Sequence, residues 1–297
     1  MSFSSELKAE LASVTGDPCC ELAQAYGMIE FGRAFSASAV SLQTESRSVA
    51  QRYAQLLHSV CGVTPQMETP PPGKAGLYTV SVVPQELERV LDRFGHGERE
   101  IALRINRANF DCDTCVTAFL RGVFLVCGAI TNPQVDYHLE FNVPYLNLSR
   151  DFIALLGEIG LTAKTARRKG NYLVYFKESE QIEDCLTAMG AMNASLELMN
   201  VKLVKSIRNT VNRAANCETA NLDKTLKASF PQVEAVRKIE KRLGLDALPE
   251  ELRELCRLRV ENPEYSLREL GEALEPPISR SGVNHRLQRI LEIAETL

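Results

Sequence analysis

The chain has 297 residues, more than one ordinary domain needs, so two domains are expected. It is 45% hydrophobic and 24% charged, with a net charge of −4. That excludes a uniformly basic nucleic-acid coat and confines any such binding to local patches. Nine scattered cysteines and an N-terminus unlike a signal peptide predict reduced thiols in a cytoplasmic protein. No stretch approaches the roughly 20 apolar residues of a membrane span.

In chain order, Leu7 and Leu11 mark a short helix over Ser4 to Ser13. Asp17 and Pro18 then open CCELAQAYGMIEFGRAF. A related segment, CVTAFLRGVFLVCGAI, recurs 95 residues later, with Cys20, Gly27 and Ala34 matching Cys115, Gly122 and Ala129. The downstream order repeats too. After the first such helix come a strand from Ala39 to Thr44, an amphipathic helix from Arg47 to Cys61, the proline-rich loop TPPPGKAG, a strand from Leu77 to Val83 and a helix from Gln85 to Gly95. After the second come a strand from Val135 to Phe141, a helix from Leu148 to Ile159, the basic loop ARRKG, a strand from Tyr172 to Phe176 and a helix from Ser179 to Gly190. Two copies of an α/β unit predict one α+β domain with pseudo-twofold symmetry. The glycine-bearing helices would meet on its axis, since glycine lets two backbones approach.

This pattern resembles the LAGLIDADG homing endonuclease fold. Leu120 to Gly128 fits the nine-residue motif at its first, third and last positions, and Ala25 to Arg33 fits it more loosely. The resemblance implies a metal-binding acid one residue before each motif's final position. Gly32 and Cys127 stand there instead, and neither offers the hard oxygen donor that Mg²⁺ needs. Glu30 is two positions early and faces elsewhere on a helix. No catalytic residue and no nuclease activity are therefore expected.

Beyond Gly190, Met192 to Asn212 reads as a long helix. Asn212 to Thr225 is polar, rich in Asn and Thr, and reads as a linker or domain junction. Phe230 to Leu243 forms a further helix, ended by Gly244, and Glu251 to Val260 another, stopped by Asn262-Pro263. Ser266 and Glu269 have capping-box spacing ahead of Leu267, Leu270 and Leu274. Pro276-Pro277 ends that helix, and Ser279 caps the next. On this last helix Val283, Leu287 and Ile290 share one face. Ser281, Asn284, His285 and Gln288 share the other, with Arg280, Arg286 and Arg289 between. Two short helices with an anchored, polar, arginine-flanked second member suggest a helix-turn-helix over about 266–290. Its polar face suits base edges and its arginines suit phosphates. Two more basic stretches are candidate auxiliary DNA contacts: Lys164, Arg167, Arg168 and Lys169, and Lys202, Lys205, Arg208 and Arg213.

NRAANCETANLDKT (Asn212 to Thr225), LPEELRELCRLRVENPEYSLRELGEAL (Leu248 to Leu274) and PPISRSGVNHRLQRI (Pro276 to Ile290) together resemble the WhiA family of DNA-binding regulators of Gram-positive bacteria. The resemblance covers essentially the whole chain. It implies a degenerate LAGLIDADG-like domain over 1–200 (repeats at about 19–95 and 114–190), a basic helix and linker over 201–225, and an all-α DNA-binding domain over 226–297. It also implies double-stranded DNA as partner, other transcription factors or cell-division proteins as further partners, and a nucleoid-associated, cytoplasmic location. Family members are linked to sporulation, cell division and chromosome segregation. The DNA-binding set expected is Ser266, Ser279, Arg280, Ser281, Asn284, His285, Arg286, Gln288 and Arg289.

Other chemistry is sparse. Cys112-x-x-Cys115 lacks a second pair at metal spacing and reads as two thiols at a helix start, and the adjacent Cys19-Cys20 looks poorly placed for one metal. His58, His96 and His138 share no spacing, and no phosphate-binding glycine loop appears. No metal and no cofactor are expected. Two alternatives to a DNA-binding regulator remain. One is an active or residual endonuclease. The other is a protein-interaction scaffold, to which the loop Thr69 to Gly73 would contribute.

Overall fold

The computed structural model describes residues 2–32, 34–36, 38–71, 76–96 and 103–297. They divide into two units, Met1–Val204 and Lys205–Leu297.

The first unit opens with α1 (Phe3–Ser13), then runs twice through one order of elements. The first pass is α2 (Pro18–Glu30), β1 (Ala34–Ser36), β2 (Ala39–Thr44), α3 (Arg47–Cys61), β3 (Gln66–Glu68), β4 (Tyr78–Ser81) and α4 (Leu87–Phe94). The second is α5 (Cys115–Cys127), β5 (Gly128–Ile130), β6 (Leu139–Val143), α6 (Leu146–Glu158), β7 (Lys164–Arg168), β8 (Asn171–Phe176) and α7 (Ser179–Met189). Each pass builds a four-stranded antiparallel sheet, ordered β1-β2-β4-β3 and β5-β6-β8-β7. The predicted repeat is thus a repeat of fold. The expected LAGLIDADG-like α+β architecture is present, followed by an all-α unit.

α2 and α5 cross at the centre. Nearly every residue of α2 from Cys20 onward is buried, as is α5 from Cys115 to Leu125 apart from Val116 and Thr117. A Cβ on Gly27 would come within 2.5 Å of the Phe119 carbonyl oxygen, and one on Gly122 would overlap that of Gln24. Two glycines therefore set the closest approach of the helices, as their spacing predicts. Tyr26, Phe31, Phe119, Phe124, Phe141 and Phe152 fill the core around the crossing.

Several local expectations change. The basic ARRKG segment is not a loop: Lys164 to Arg168 pair along β8, and only Lys169 and Gly170 turn the hairpin, both with positive φ. The strand read from Val135 starts at Leu139. Upstream of it, Asn132 closes a turn by accepting from the backbone N–H of Gln134 (2.8 Å, through its side chain) and of Val135 (2.9 Å, through its carbonyl). Pro72 and Gly73 of the proline-rich loop lie outside the described residues.

The expected linker over Asn212 to Thr225 is helical, part of a single α8 (Met192–Arg242) that also absorbs the helix expected to start at Phe230. The segment holds no glycine or proline. The hydroxyls of Thr219 and Thr225 return to the carbonyls of Ala215 (2.9 Å) and Asn221 (3.0 Å), so polar side chains here accompany the helix rather than break it.

The second unit adds α9 (Glu250–Glu261), α10 (Leu267–Ala273) and α11 (Arg280–Glu295) to its part of α8. Val236, Ile239, Leu252, Leu255, Cys256, Leu270, Leu274, Val283, Leu287 and Ile290 form its core.

Candidate nucleic-acid interface

The helix-turn-helix is built from α10 and α11. The capping box at Ser266 is closed both ways: its Oγ accepts from Glu269 N–H at 3.3 Å, and its own N–H donates to Glu269 Oε2 at 2.7 Å. The carboxyl of Glu269 is held below the usual carboxylate range, first by this backbone bond and then by the Ser266 hydroxyl. Ser279 caps α11 by accepting from Gly282 N–H at 3.2 Å. Gly271 fixes the turn between the helices. Ile278 N–H donates to its carbonyl at 3.0 Å, and a Cβ at Gly271 would overlap the Ile278 carbonyl oxygen.

Val283, Leu287 and Ile290 are fully buried, while Arg280, Ser281, Asn284, His285, Gln288 and Arg289 are all exposed. The predicted division of α11 into two faces is therefore present. Arg286 departs from it. Its side chain is only 25% exposed and its Nη2 lies 3.2 Å from Glu251 Oε2, which ties α11 to α9. The hydroxyls of Ser266 and Ser279 are likewise engaged as caps.

Two exposed basic residues that spacing alone did not single out join this surface, and a buried third supports it. Lys224 and Arg268 line one cleft of the second unit with Arg280, Asn284 and the buried Arg259. Lys224 lies in the segment read as a linker, which hid its helical phase. Arg259 is 1% exposed. Its Nη1 donates to the carbonyls of Tyr265 (2.8 Å), Pro263 (3.3 Å) and Asn262 (3.5 Å), pinning the chain between α9 and α10. Burial lowers its pKa from the ordinary arginine value.

In the first unit, Arg167, Arg168 and Lys169 are exposed at the outer edge of the second sheet. Lys164 is paired with Glu178 at 2.9 Å, and Lys202 with Glu183 (3.0 Å) and Glu180 (3.1 Å). In the second unit's part of α8, Lys205 is half-buried, and Arg208 and Arg213 are exposed.

Gly32 and Cys127, the positions of the expected metal acids, do share one cleft, lined also by Ser41, Gln43, Glu140, Asn142 and Asn171. Among the described lining residues Glu140 is the single carboxylate, and it lies 2.9 Å from His138 Nε2. Burial pushes the Cys127 thiol up to about 12, with Lys8 opposing, and burial pulls the Lys8 ammonium below its ordinary value. Glu30 is fully buried 2.9 Å from His96 Nε2 and does not line the cleft. The site therefore presents a thiol with a lysine in its field where a metal-dependent nuclease needs paired carboxylates. No helix among the described residues is long and apolar enough to cross a membrane.

Comparison with known proteins agrees with this architecture. Residues 116–208 match the family model of the WhiA LAGLIDADG-like domain, and residues 211–294 that of the WhiA C-terminal HTH domain. A "Probable cell division protein WhiA" of Macrococcus caseolyticus is 37% identical over 306 residues, covering 100% of this chain and 97% of that one. One of the same name from Ruminiclostridium cellulolyticum is 38% identical over 309 residues, covering 100% and 98%. The crystal structure of full-length WhiA from Thermatoga maritima shares the fold, with a TM-score of 0.60, 24% identity, and coverage of 100% of this chain and 99% of that one. The chain belongs to the WhiA family.

Proposed function

We propose that this chain is a sequence-specific DNA-binding transcriptional regulator that reads duplex DNA with α11 and has no nuclease chemistry. The observation that carries this reading is the exposed row of Ser281, Asn284, His285 and Gln288 on a helix anchored by Val283, Leu287 and Ile290. Its side-chain amides can pair with base edges in a major groove, and Arg280 and Arg289 flank them as phosphate clamps. The capped start of α11 offers backbone N–H groups to a phosphate. Ser266 serves mainly by capping α10, Ser279 by capping α11, and Arg286 by holding α11 on α9. Arg167, Arg168, Lys169, Arg208 and Arg213 are auxiliary, sequence-independent contacts; Lys164 and Lys202 are weaker candidates because acids neutralise them. Lys205 belongs with the same stretch.

The names of the relatives support a role in cell division, and the family resemblance extends it to sporulation and chromosome segregation. Such a protein works on the nucleoid in the cytoplasm, alongside other transcription factors or cell-division proteins. The deciding experiment is selection of sites by the full chain from random duplex oligonucleotides. A single enriched motif that shifts with Asn284→Ala is expected; recovery of no motif would overturn the reading. Incubation of plasmid with the pure chain and Mg²⁺ should leave it intact, and metal-dependent cleavage would restore the endonuclease reading.

A further inference from the structure

Cys19 and Cys20, expected to be poorly placed for one metal, lie beside Cys112 and Cys115, and the four Sγ atoms fall within 4.8 Å of one another. Cys112 Sγ stands 3.4 Å from the Sγ of both Cys19 and Cys115 and 3.6 Å from that of Cys20. We propose that these four cysteines form a mononuclear tetrathiolate site for Zn²⁺ that staples the two repeats together at the starts of α2 and α5.

The size of the cluster selects the ion. A Zn–S bond of about 2.3 Å sets the S···S edge of a tetrahedron at about 3.8 Å, close to the separations found. A polynuclear iron–sulfur core would hold its outermost thiolates further apart, by the width of the core itself. All four thiols are free. Four soft sulfur donors with no histidine or carboxylate among them are the ligand set that zinc takes in closed structural sites.

The surroundings fit a site that must carry negative charge. Binding converts four thiols to thiolates and releases four protons, leaving a zinc centre of net charge −2. Cys19 and Cys20 sit in the first turn of α2, and Cys115 is the first residue of α5, so two helix N-termini face the thiolates with their partial positive ends. The Thr114 hydroxyl lies 3.2 Å from the sulfurs of both Cys20 and Cys112, and the Cys112 N–H donates to Cys115 Sγ at 3.5 Å. Bonds of this kind orient thiolate ligands. Cys20 and Cys115 are buried, Cys19 is half-buried and Cys112 is exposed, which gives the ion a path in from solvent. Packing thiols as small apolar groups would bring no need for all four sulfurs, drawn from segments 93 residues apart, to gather within 4.8 Å of one another.

The test uses the full chain purified under reducing conditions, with metal content measured by mass spectrometry. One equivalent of zinc per chain is expected. Replacing it with Co²⁺ should give the absorption of tetrahedral thiolate coordination, a readout that requires no variant to fold. The pair Cys112→Ser and Cys115→Ser should lose the metal, and Cys217→Ser, an exposed cysteine outside the cluster, should keep it. A wild-type chain that takes up neither Zn²⁺ nor Co²⁺ in titration, or one that carries an iron–sulfur chromophore, would overturn the proposal. DNA binding enters none of these readouts.

Discussion

Gly122 lies directly against the backbone carbonyl of Gln24 on the opposing helix, so closely that a Cβ would overlap that oxygen and come within 3.1 Å of Met28 N. Backbone cannot yield as a flexible side chain would. Gly122→Val should therefore force α2 and α5 apart, at a cost of about 1–3 kcal/mol or more. The measurement is the urea midpoint, expected to fall at unchanged slope. Gly157→Ala in α6, where an added Cβ meets nothing within 4 Å, is the control. It should be neutral or stabilising by up to about 1 kcal/mol.

The arginines of α11 should separate by function. Arg289→Ala, which removes an exposed cation, should reduce the salt dependence of DNA binding by about one unit in the log–log slope. Arg286→Ala should instead lower the thermal midpoint of the second unit, because it frees Glu251 and loosens α11 from α9. A full unit of slope lost in Arg286→Ala with no change in midpoint would return it to the phosphate contacts. Asn284→Ala should relax discrimination at one base pair by about 1–3 kcal/mol, with little change in slope.

The capping box predicts a pH effect of defined sign. The folded-state pKa of Glu269 is depressed, so its contribution is present above its unfolded value of about 4.3 and is lost as pH falls through the lower folded value. The midpoint difference between wild type and Glu269→Gln should thus be fully developed at neutral pH and shrink in acid. A difference that grows on acidification would exclude the ionised carboxylate as the source. Ser266→Ala should cost about 1 kcal/mol at neutral pH.

Arg259→Met keeps much of the side chain's bulk but removes the donors that hold the carbonyls of Asn262, Pro263 and Tyr265. Leaving these half-buried acceptors without their donor should cost about 1 kcal/mol. Chemical denaturation measures it, and DNA affinity should fall in parallel because α10 loses its seat.

Local chemistry made much of this architecture legible. The 95-residue repeat, the glycine pair, the capping box at Ser266 and the two faces of α11 are periodic or short-range patterns, and each has its counterpart in the structure. The short strands β1, β3, β5 and β7 were not legible, since three to five residues carry too little alternation to stand out from loops. The helix through Asn212 to Thr225 was hidden by its Asn and Thr content, although nothing in it breaks a helix.

By itself, then, the sequence determined the two-part organisation, the pseudo-symmetric core and the helix that presents polar groups between arginines. These follow from hydrophobic period, caps and glycine placement, which act over a few residues. Only the tertiary structure decided which charges are already spent. Arg286 is taken by Glu251, and Lys202 by Glu180 and Glu183, through contacts that no local spacing encodes. Only the tertiary structure, too, brought Cys19 and Cys20 to Cys112 and Cys115. Those thiols meet because the crossing at Gly27 and Gly122 sets the starts of α2 and α5 side by side, turning two unremarked pairs into one cluster of sulfur.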